Sequence, residues 1–326
     1  MALRSLPAAI ALSVAPSLAP ALGAQAGLDE ALRLFEARRY AEAAPILTAA
    51  ASADPRDARP AFYLGRIAVA YGDADEAVRR LEAATRADPR NAGYYFWLGR
   101  AYARQVQRVG KLRQPFVARR SKQAFETALA LDPDDLVARA ALMQYLLVAP
   151  AVVGGSASGA RAQGEDLRRR SRLYGIMAAG WLAEADGKLA DAERQFQAAA
   201  AEFPDSAQGY YALGALYQRR GEFDEAFDAY ERLLRRRPDA GNAYYGIGRT
   251  ASQSRTHLER AEQALRAYIA RGPALEDDAP LASAHYRLGV VYEHMGRPDQ
   301  ARQQYAEALR YDPKQSDAQA AIKRLR

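Results

Sequence analysis

Apolar side chains recur along the chain at helical spacing, and the recurrence is clearest between residues 205 and 238. Two sets of apolar positions in this stretch are each spaced three or four residues apart: Tyr210, Leu213 and Tyr217, then Ala226, Tyr230 and Leu233. Residues at that spacing lie on one face of a helix. Gly221 separates the two sets, and glycine commonly ends a helix. The stretch is therefore predicted to form two amphipathic helices joined by a tight turn.

Other parts of the chain repeat this pattern. A glycine follows a large aliphatic residue at the same place in five segments: Leu64-Gly65, Leu98-Gly99, Leu213-Gly214, Ile247-Gly248 and Leu288-Gly289. Residues 205–238 resemble a tetratricopeptide repeat, in which aromatic, Leu-Gly, Tyr, Ala, aromatic, Ala and Pro positions recur about every 34 residues. Only Leu233, at the second alanine position, departs from that pattern. Pro55 and Pro89, which delimit another segment, have the same spacing.

The resemblance implies an all-α fold, a right-handed superhelical solenoid of antiparallel helix pairs. It covers nearly all of residues 27–326 and implies about eight helical hairpins followed by a C-terminal capping helix at 316–325. The expected hairpins are 28–55, 58–89, 92–133, 136–172, 173–204, 207–238, 241–273 and 282–313. The fourth of these, 136–172, is the most degenerate.

The first 26 residues differ in composition from the rest. A positive charge at Arg4 precedes residues 6–22, which carry no charge, and Ala24 and Ala26 supply the small residues that a signal peptidase reads. This arrangement is typical of a secretory signal peptide cleaved after Ala26. The chain contains no cysteine, which excludes disulfides, thiolate metal sites and a lipidated cysteine. We therefore expect a periplasmic or secreted protein.

One departure from the repeat is an insertion of roughly ten residues between positions 104 and 120. From residue 100 to residue 123 there are eight positive charges and no acidic residue, whereas the whole chain has a formal net charge of only +7. We assign five of these cations to a basic edge: Arg108, Lys111, Arg113, Arg119 and Arg120. An edge of this kind could contact an anionic membrane or polymer, or it could simply be solvated.

A second departure is the glycine-rich segment from Gly154 to Gly159. It lacks the Lys-Ser/Thr of a nucleotide-binding loop and follows a helix, whereas that motif follows a strand. We interpret it as a flexible linker, followed by a helix from about Ala160 to Tyr174.

Catalysis finds little support in the sequence. His285 and His294 share a predicted helix, but nine residues of helix separate them by about 13 Å, too far for one metal ion. No nucleophile motif and no pair of catalytic histidines is evident. We therefore expect no enzymatic activity, no cofactor and no metal site.

The resemblance implies that the first helix of each hairpin lines a concave groove. One residue after the aromatic position lie Phe62, Phe96, Tyr211, Tyr245 and Tyr286, and directly after the glycine lie Arg66, Arg100 and Arg249. These two positions are four residues apart and share a helix face. Arginine grips carboxylates with two parallel hydrogen bonds, so such a groove would suit a peptide. Alternatively, the aromatic residues pack between helices and the arginines are solvated.

The favoured hypothesis is a non-catalytic scaffold of the bacterial cell envelope that binds a protein or peptide in its groove. One alternative is a protein that binds an anionic polysaccharide or lipid head group through the basic edge. Another is an accessory subunit of an envelope enzyme or secretion complex. An export signal argues against nucleic acid as a partner.

Overall fold

The computed structural model describes residues 19–272 and 279–325, and every regular element in these ranges is helical. In chain order the helices are α1 (Ala19–Glu36), α2 (Tyr40–Ala53), α3 (Ala58–Tyr71), α4 (Ala74–Ala87), α5 (Ala92–Val106), α6 (Gln114–Leu131), α7 (Leu136–Val148), α8 (Ala157–Arg170), α9 (Arg172–Ala185), α10 (Leu189–Glu202), α11 (Ala207–Arg220), α12 (Phe223–Arg236), α13 (Gly241–Ser254), α14 (Leu258–Arg271), α15 (Leu281–His294), α16 (Pro298–Tyr311) and α17 (Ser316–Arg324). A 3-10 turn lies at Ala151–Val153. Most of the predicted signal peptide, residues 1–18, lies outside the described residues.

Local sequence sets the ends of these helices. The Asp57 side chain accepts a hydrogen bond from the backbone N–H of Arg59 at the start of α3, and Ser156 does the same for Gly159 in α8. Side chains of this kind satisfy backbone donors that the first helical turn leaves unpaired. Gly221 ends α11 with φ of 77°, a left-handed conformation that costs glycine little.

Consecutive helices pair and stack to form the solenoid. Helices α1 to α16 form eight antiparallel pairs, each packed on the next, and α17 packs against α16 at the end of the array. Buried side chains form clusters that follow one another along the array, and the largest fully buried ones include Phe196, Tyr268, Tyr292 and Tyr305. The predicted all-α, right-handed superhelical solenoid is confirmed.

The glycine that follows the large aliphatic residue in five of the hairpins lies directly against a large side chain of the second helix. A Cβ atom on Gly248 would lie 2.3 Å from Cγ of Leu265, and one on Gly214 would lie 2.3 Å from Cζ of Tyr230. These distances are far below van der Waals contact, so the large side chain of the second helix occupies the space that a methyl group would need. The pattern of the sequence thus encodes how the helices of one hairpin pack.

Replacing Gly248 with alanine is expected to lower the free energy of unfolding by about 1–3 kcal/mol, because Leu265 is completely buried and has no free space to enter. Gly93→Ala in α5 is the matched control. A methyl group at Gly93 would approach only Oδ1 of Asn91, at 3.3 Å. The Asn91 side chain makes no capping hydrogen bond and can move aside, so Gly93→Ala in the first turn of α5 should change the free energy of unfolding by less than about 1 kcal/mol. Urea unfolding followed by circular dichroism measures both, and equal effects would contradict this account of the packing.

The glycine-rich segment is a packed turn, so the linker interpretation was wrong. The backbone N–H of Gly155 donates to the carbonyl of Pro150 at 3.1 Å, and that of Ser156 donates to Leu146 at 2.9 Å. A Cβ on Gly155 would lie 1.7 Å from the carbonyl oxygen of Ala149, so the turn requires glycine there. The predicted helix also extended too far, because Ser171 is extended and caps a new helix, α9.

The last hairpin of the array meets its N-terminal half. The guanidinium of Arg108, at the start of the insertion, donates two hydrogen bonds to the Asp312 carboxylate, at 2.6 and 2.8 Å. The rings of Tyr71 and Tyr311 stack with centroids 6.1 Å apart and an interplanar angle of 15°. We call Tyr71, Arg108, Tyr311 and Asp312 the seam. It joins the eighth hairpin to the second and third, so the superhelix closes on itself.

Candidate functional site

The inner wall of the superhelix consists of the first helices of the pairs. Successive first helices contact each other, as α11 contacts α13 and α13 contacts α15. In a curved array, neighbouring helices lie closer together on the concave side than on the convex side, so the first helices line the concave side. All eight residues predicted for the groove lie on such helices, and they form two groups. One group is on α3 and α5 (Phe62, Arg66, Phe96 and Arg100), and the other is on α11, α13 and α15 (Tyr211, Tyr245, Arg249 and Tyr286).

Trp97 is the centre of the first group. The Arg66 guanidinium lies 4.7 Å from the centroid of the Trp97 ring, and the Arg100 guanidinium lies 4.8 Å from it. Arg66 also lies 4.9 Å from the ring of Phe35. Both arginines are half-buried. A guanidinium is attracted to the face of an indole ring, so the two cations are held in place by aromatic contacts.

Phe62 and Phe96 each pack against a neighbouring aromatic ring. The Phe62 and Tyr94 ring centroids are 4.6 Å apart, and Phe96 lies 6.0 Å from Trp97. Both phenylalanines remain partly exposed. They therefore support the arginines and also contribute apolar surface to the inner wall.

A hydrogen-bond network characterises the second group. The Arg249 guanidinium donates to the side-chain carbonyl of Gln218 on the preceding first helix. Gln218 in turn donates to the carbonyl of Gly246 at 3.2 Å. On the other side, Arg287 of α15 donates to the Ser252 hydroxyl at 3.2 Å. Polar contacts therefore link α11, α13 and α15 across the inner wall.

The tyrosines of the second group pack on fully buried tyrosines of the second helices. Ring centroids are 5.8 Å apart for Tyr245 and Tyr268, and 5.7 Å apart for Tyr286 and Tyr305. Burial raises the pKa of Tyr286, so its hydroxyl stays protonated. Tyr211 packs against the same core and is also half-buried.

Sequence reasoning missed Trp97, Gln218 and Arg287. For Trp97 a signal was present, because it precedes Arg100 by three residues and therefore shares its helix face, as Tyr63 does with Arg66. Gln218 and Arg287 gave no such signal, since their partners lie on neighbouring hairpins.

The structure separates the five residues of the predicted basic edge. Arg108 belongs to the seam, Arg119 donates to the carbonyl of Val152 at 2.7 Å, and Arg120 lies 3.4 Å from the Glu82 carboxylate. Burial, together with a hydrogen bond to Glu82, raises the pKa of the adjacent Tyr102 to about 12. Lys111 and Arg113 are exposed and have no side-chain partner among the described residues.

His285 and His294, the two histidines that share a helix, each contact other residues of the fold. His285 lies 2.9 Å from Oε1 of Gln304 and stacks on Tyr311, and His294 lies 3.2 Å from the carbonyl of Ser252. Within residues 19–272 and 279–325, no group of three or more metal-ligating side chains is placed to hold an ion. No helix in the same ranges has the length and apolar character needed to span a membrane.

Comparison with known proteins gives three matching family profiles, each described as Tetratricopeptide repeat. They match residues 34–104, residues 177–241 together with 211–276, and residues 282–315. No curated protein matches the sequence. A solved structure titled "Crystal structure of APC/C hetero-tetramer Cut9-Hcn1" aligns with 92% of this chain and 55% of its own, with 16% identity and a TM-score of 0.47. This chain therefore spans about half the length of that one.

Proposed function

Because the chain is a tetratricopeptide repeat protein, we propose that it is a non-catalytic scaffold of the bacterial cell envelope that binds a peptide or protein on its concave wall. Solenoids of this type use their curved inner surface for binding, and protein–protein interaction is the function that the repeats suggest. The N-terminal pattern of a positive charge, an uncharged apolar segment and small residues before position 27 supports export.

The observation that carries this proposal is the stack of Arg66, Trp97 and Arg100 on the inner wall. A partner gains most from cations that are already held in position, because little side-chain entropy is then lost on binding. Ring contacts at 4.7 and 4.8 Å hold both guanidinium groups, and each remains partly exposed. Arg249, held by Gln218, places a third cation on the same wall. The surface is therefore suited to an extended peptide that carries carboxylates.

The test measures peptide affinity with and without these cations. Peptides selected from a random library on the purified protein would be titrated against the parent and an Arg66, Arg100, Arg249 triple alanine variant by fluorescence polarisation. Losing charge-assisted hydrogen bonds should raise Kd at least about tenfold. Selected sequences should also be enriched in Asp and Glu.

The matched control removes three exposed arginines from the outer helices, Arg79, Arg194 and Arg235, whose side chains are 66%, 68% and 63% exposed. Net charge then changes equally in both variants. Equal affinities of the two variants would overturn the groove assignment. Mass spectrometry of the protein exported by a bacterial host tests the envelope assignment, which requires the loss of residues 1–26.

A further inference from the structure

The insertion after α5 ends in an ordered turn. The backbone N–H of Arg113 donates to the carbonyl of Gly110 at 2.8 Å, so Lys111 and Leu112 are the central residues of a β-turn. Helix α6 begins directly after it, and Phe116 lies in the first turn of that helix. We call Lys111, Leu112, Arg113 and Phe116 the tip.

Two large apolar side chains project from the tip into solvent. Leu112 is 89% exposed and Phe116 is 68% exposed. Monomeric proteins often expose single apolar residues, but here two large ones lie four residues apart, Leu112 between two cations and Phe116 in the next turn of the chain, which favours a contact surface. Both neighbouring cations, Lys111 and Arg113, are exposed and free of side-chain partners in the described part of the chain.

The base of the tip packs against the body of the fold. Val109 packs against the core cluster of the first three hairpins, and the Gln114 amide donates to its carbonyl at 3.3 Å. One turn further along α6, Arg119 bonds to the carbonyl of Val152, which is itself 74% exposed. The projection of Leu112 and Phe116 is therefore built into the fold, and presenting them costs little additional ordering.

We propose that the tip docks on an anionic phospholipid membrane surface. Cations attract the negative head groups, while Leu112 and Phe116 enter the boundary between head groups and acyl chains. Charge complementarity favours this occupant, because Lys111 and Arg113 flank Leu112 and neither has an acidic side-chain partner among the described residues. A soluble polyanion would use the cations but leave both apolar side chains in water. The inference goes beyond the proposed peptide binding and does not depend on it.

Vesicle co-sedimentation of the full chain tests the proposal. The parent should bind phosphatidylcholine vesicles containing phosphatidylglycerol and should release them at high salt. Lys111→Ala with Arg113→Ala should weaken binding about 30-fold, at roughly fivefold per charge. Leu112→Ser with Phe116→Ser should weaken it roughly tenfold or more through lost apolar burial.

The control for charge removes one arginine and one lysine elsewhere, Arg236 and Lys323, both exposed and without side-chain partners among the described residues. It should bind like the parent. The N-terminal apolar segment is identical in all variants, so binding through it would leave the tip variants unchanged and overturn the proposal. If only the charge variant weakens binding, the contact is purely electrostatic, as it would be for any polyanion, and the docking of Leu112 and Phe116 in the membrane is wrong.

Site-specific labelling provides an independent readout, since the chain has no native cysteine. A cysteine at Gly110 has open space around its Cβ and leaves the tip residues intact. An environment-sensitive fluorophore there should shift to the blue on anionic vesicles. The same label at Asp299, whose side chain is 81% exposed, should not shift. Equal shifts, or none at Gly110, would contradict insertion of the tip.

Discussion

Replacing Trp97 with alanine is expected to lower the free energy of unfolding by about 3–5 kcal/mol, the usual cost of removing a buried indole. Only 6% of Trp97 is exposed, and it belongs to the core of the first three hairpins. The substitution would also leave the Arg66 and Arg100 guanidinium groups without the ring that holds them both. Urea unfolding followed by circular dichroism gives the free energy directly.

Tyr95 provides the matched control for this prediction. It lies two residues earlier on α5, is half-buried and takes part in no ring contact within the described residues. Tyr95→Ala should therefore cost clearly less, and Trp97→Phe, which retains an aromatic face, should fall between the two. If Trp97→Ala costs no more than Tyr95→Ala, the stack is not the organising centre of the inner wall.

Reversing one charge of the seam, by Asp312→Arg, should open the closed superhelix. The two hydrogen bonds from Arg108 are charge-assisted, and losing such a bond costs about 1.5–3 kcal/mol. Repulsion between two arginines adds to this loss. Nitroxide labels at Gly110 and Lys314, each two residues from one seam partner, report the separation by pulsed electron resonance. We expect one short distance in the parent and a longer, broader distribution in the variant.

The double variant Arg108→Asp with Asp312→Arg restores opposite charges and should recover the short distance. If the single substitution acted through a general loss of stability, a second substitution would lower the stability further. Recovery of the short distance would therefore show that the ion pair holds the seam closed. If Asp312→Arg leaves the distance unchanged, the ring contact between Tyr71 and Tyr311 is sufficient for closure.

Closure should also depend on pH: it should be lost at low pH, because Asp312 must be ionised to pair with Arg108. The hydrogen bond from Arg108 holds the pKa of this carboxyl below its ordinary value of 3.8. A lowered pKa in the closed form means that the ion pair contributes fully above the ordinary value and is lost as pH falls through the lowered one. The label distance should therefore stay constant from neutral pH to about 4 and widen below that. Asp312→Asn should abolish this dependence.

Much of the fold could be predicted because each hairpin repeats a local code. Gly248 and Leu265 lie 17 residues apart in one unit, and the pattern of small and large residues specifies their contact before any other hairpin forms. The glycine-rich turn was misread because its close contact, between Gly155 and the carbonyl of Ala149, is invisible in composition. A tightly packed turn and a flexible linker can have the same amino-acid composition.

The inner wall and the seam were less predictable for a geometrical reason. The sequence placed Arg66 and Arg100 on one wall, but not the ring of Trp97 between them. Arg108 and Asp312 are 204 residues apart. Their meeting depends on the small rotation between successive hairpins summed over the array, which no single repeat encodes. The basic edge was therefore predicted as one surface, although Arg108 serves the seam and Lys111 serves the tip.

The seam should change which hairpins of this array open most easily. In an open repeat array each unit interacts only with its neighbours, so the terminal units unravel first and at little free-energy cost. Here the last hairpin is also held by the second and third through Tyr71 and Arg108. Opening it must break contacts with the seventh hairpin and also with the second and third, which links the stability of distant units. The C-terminal hairpin should therefore exchange its amide hydrogens almost as slowly as the middle of the array.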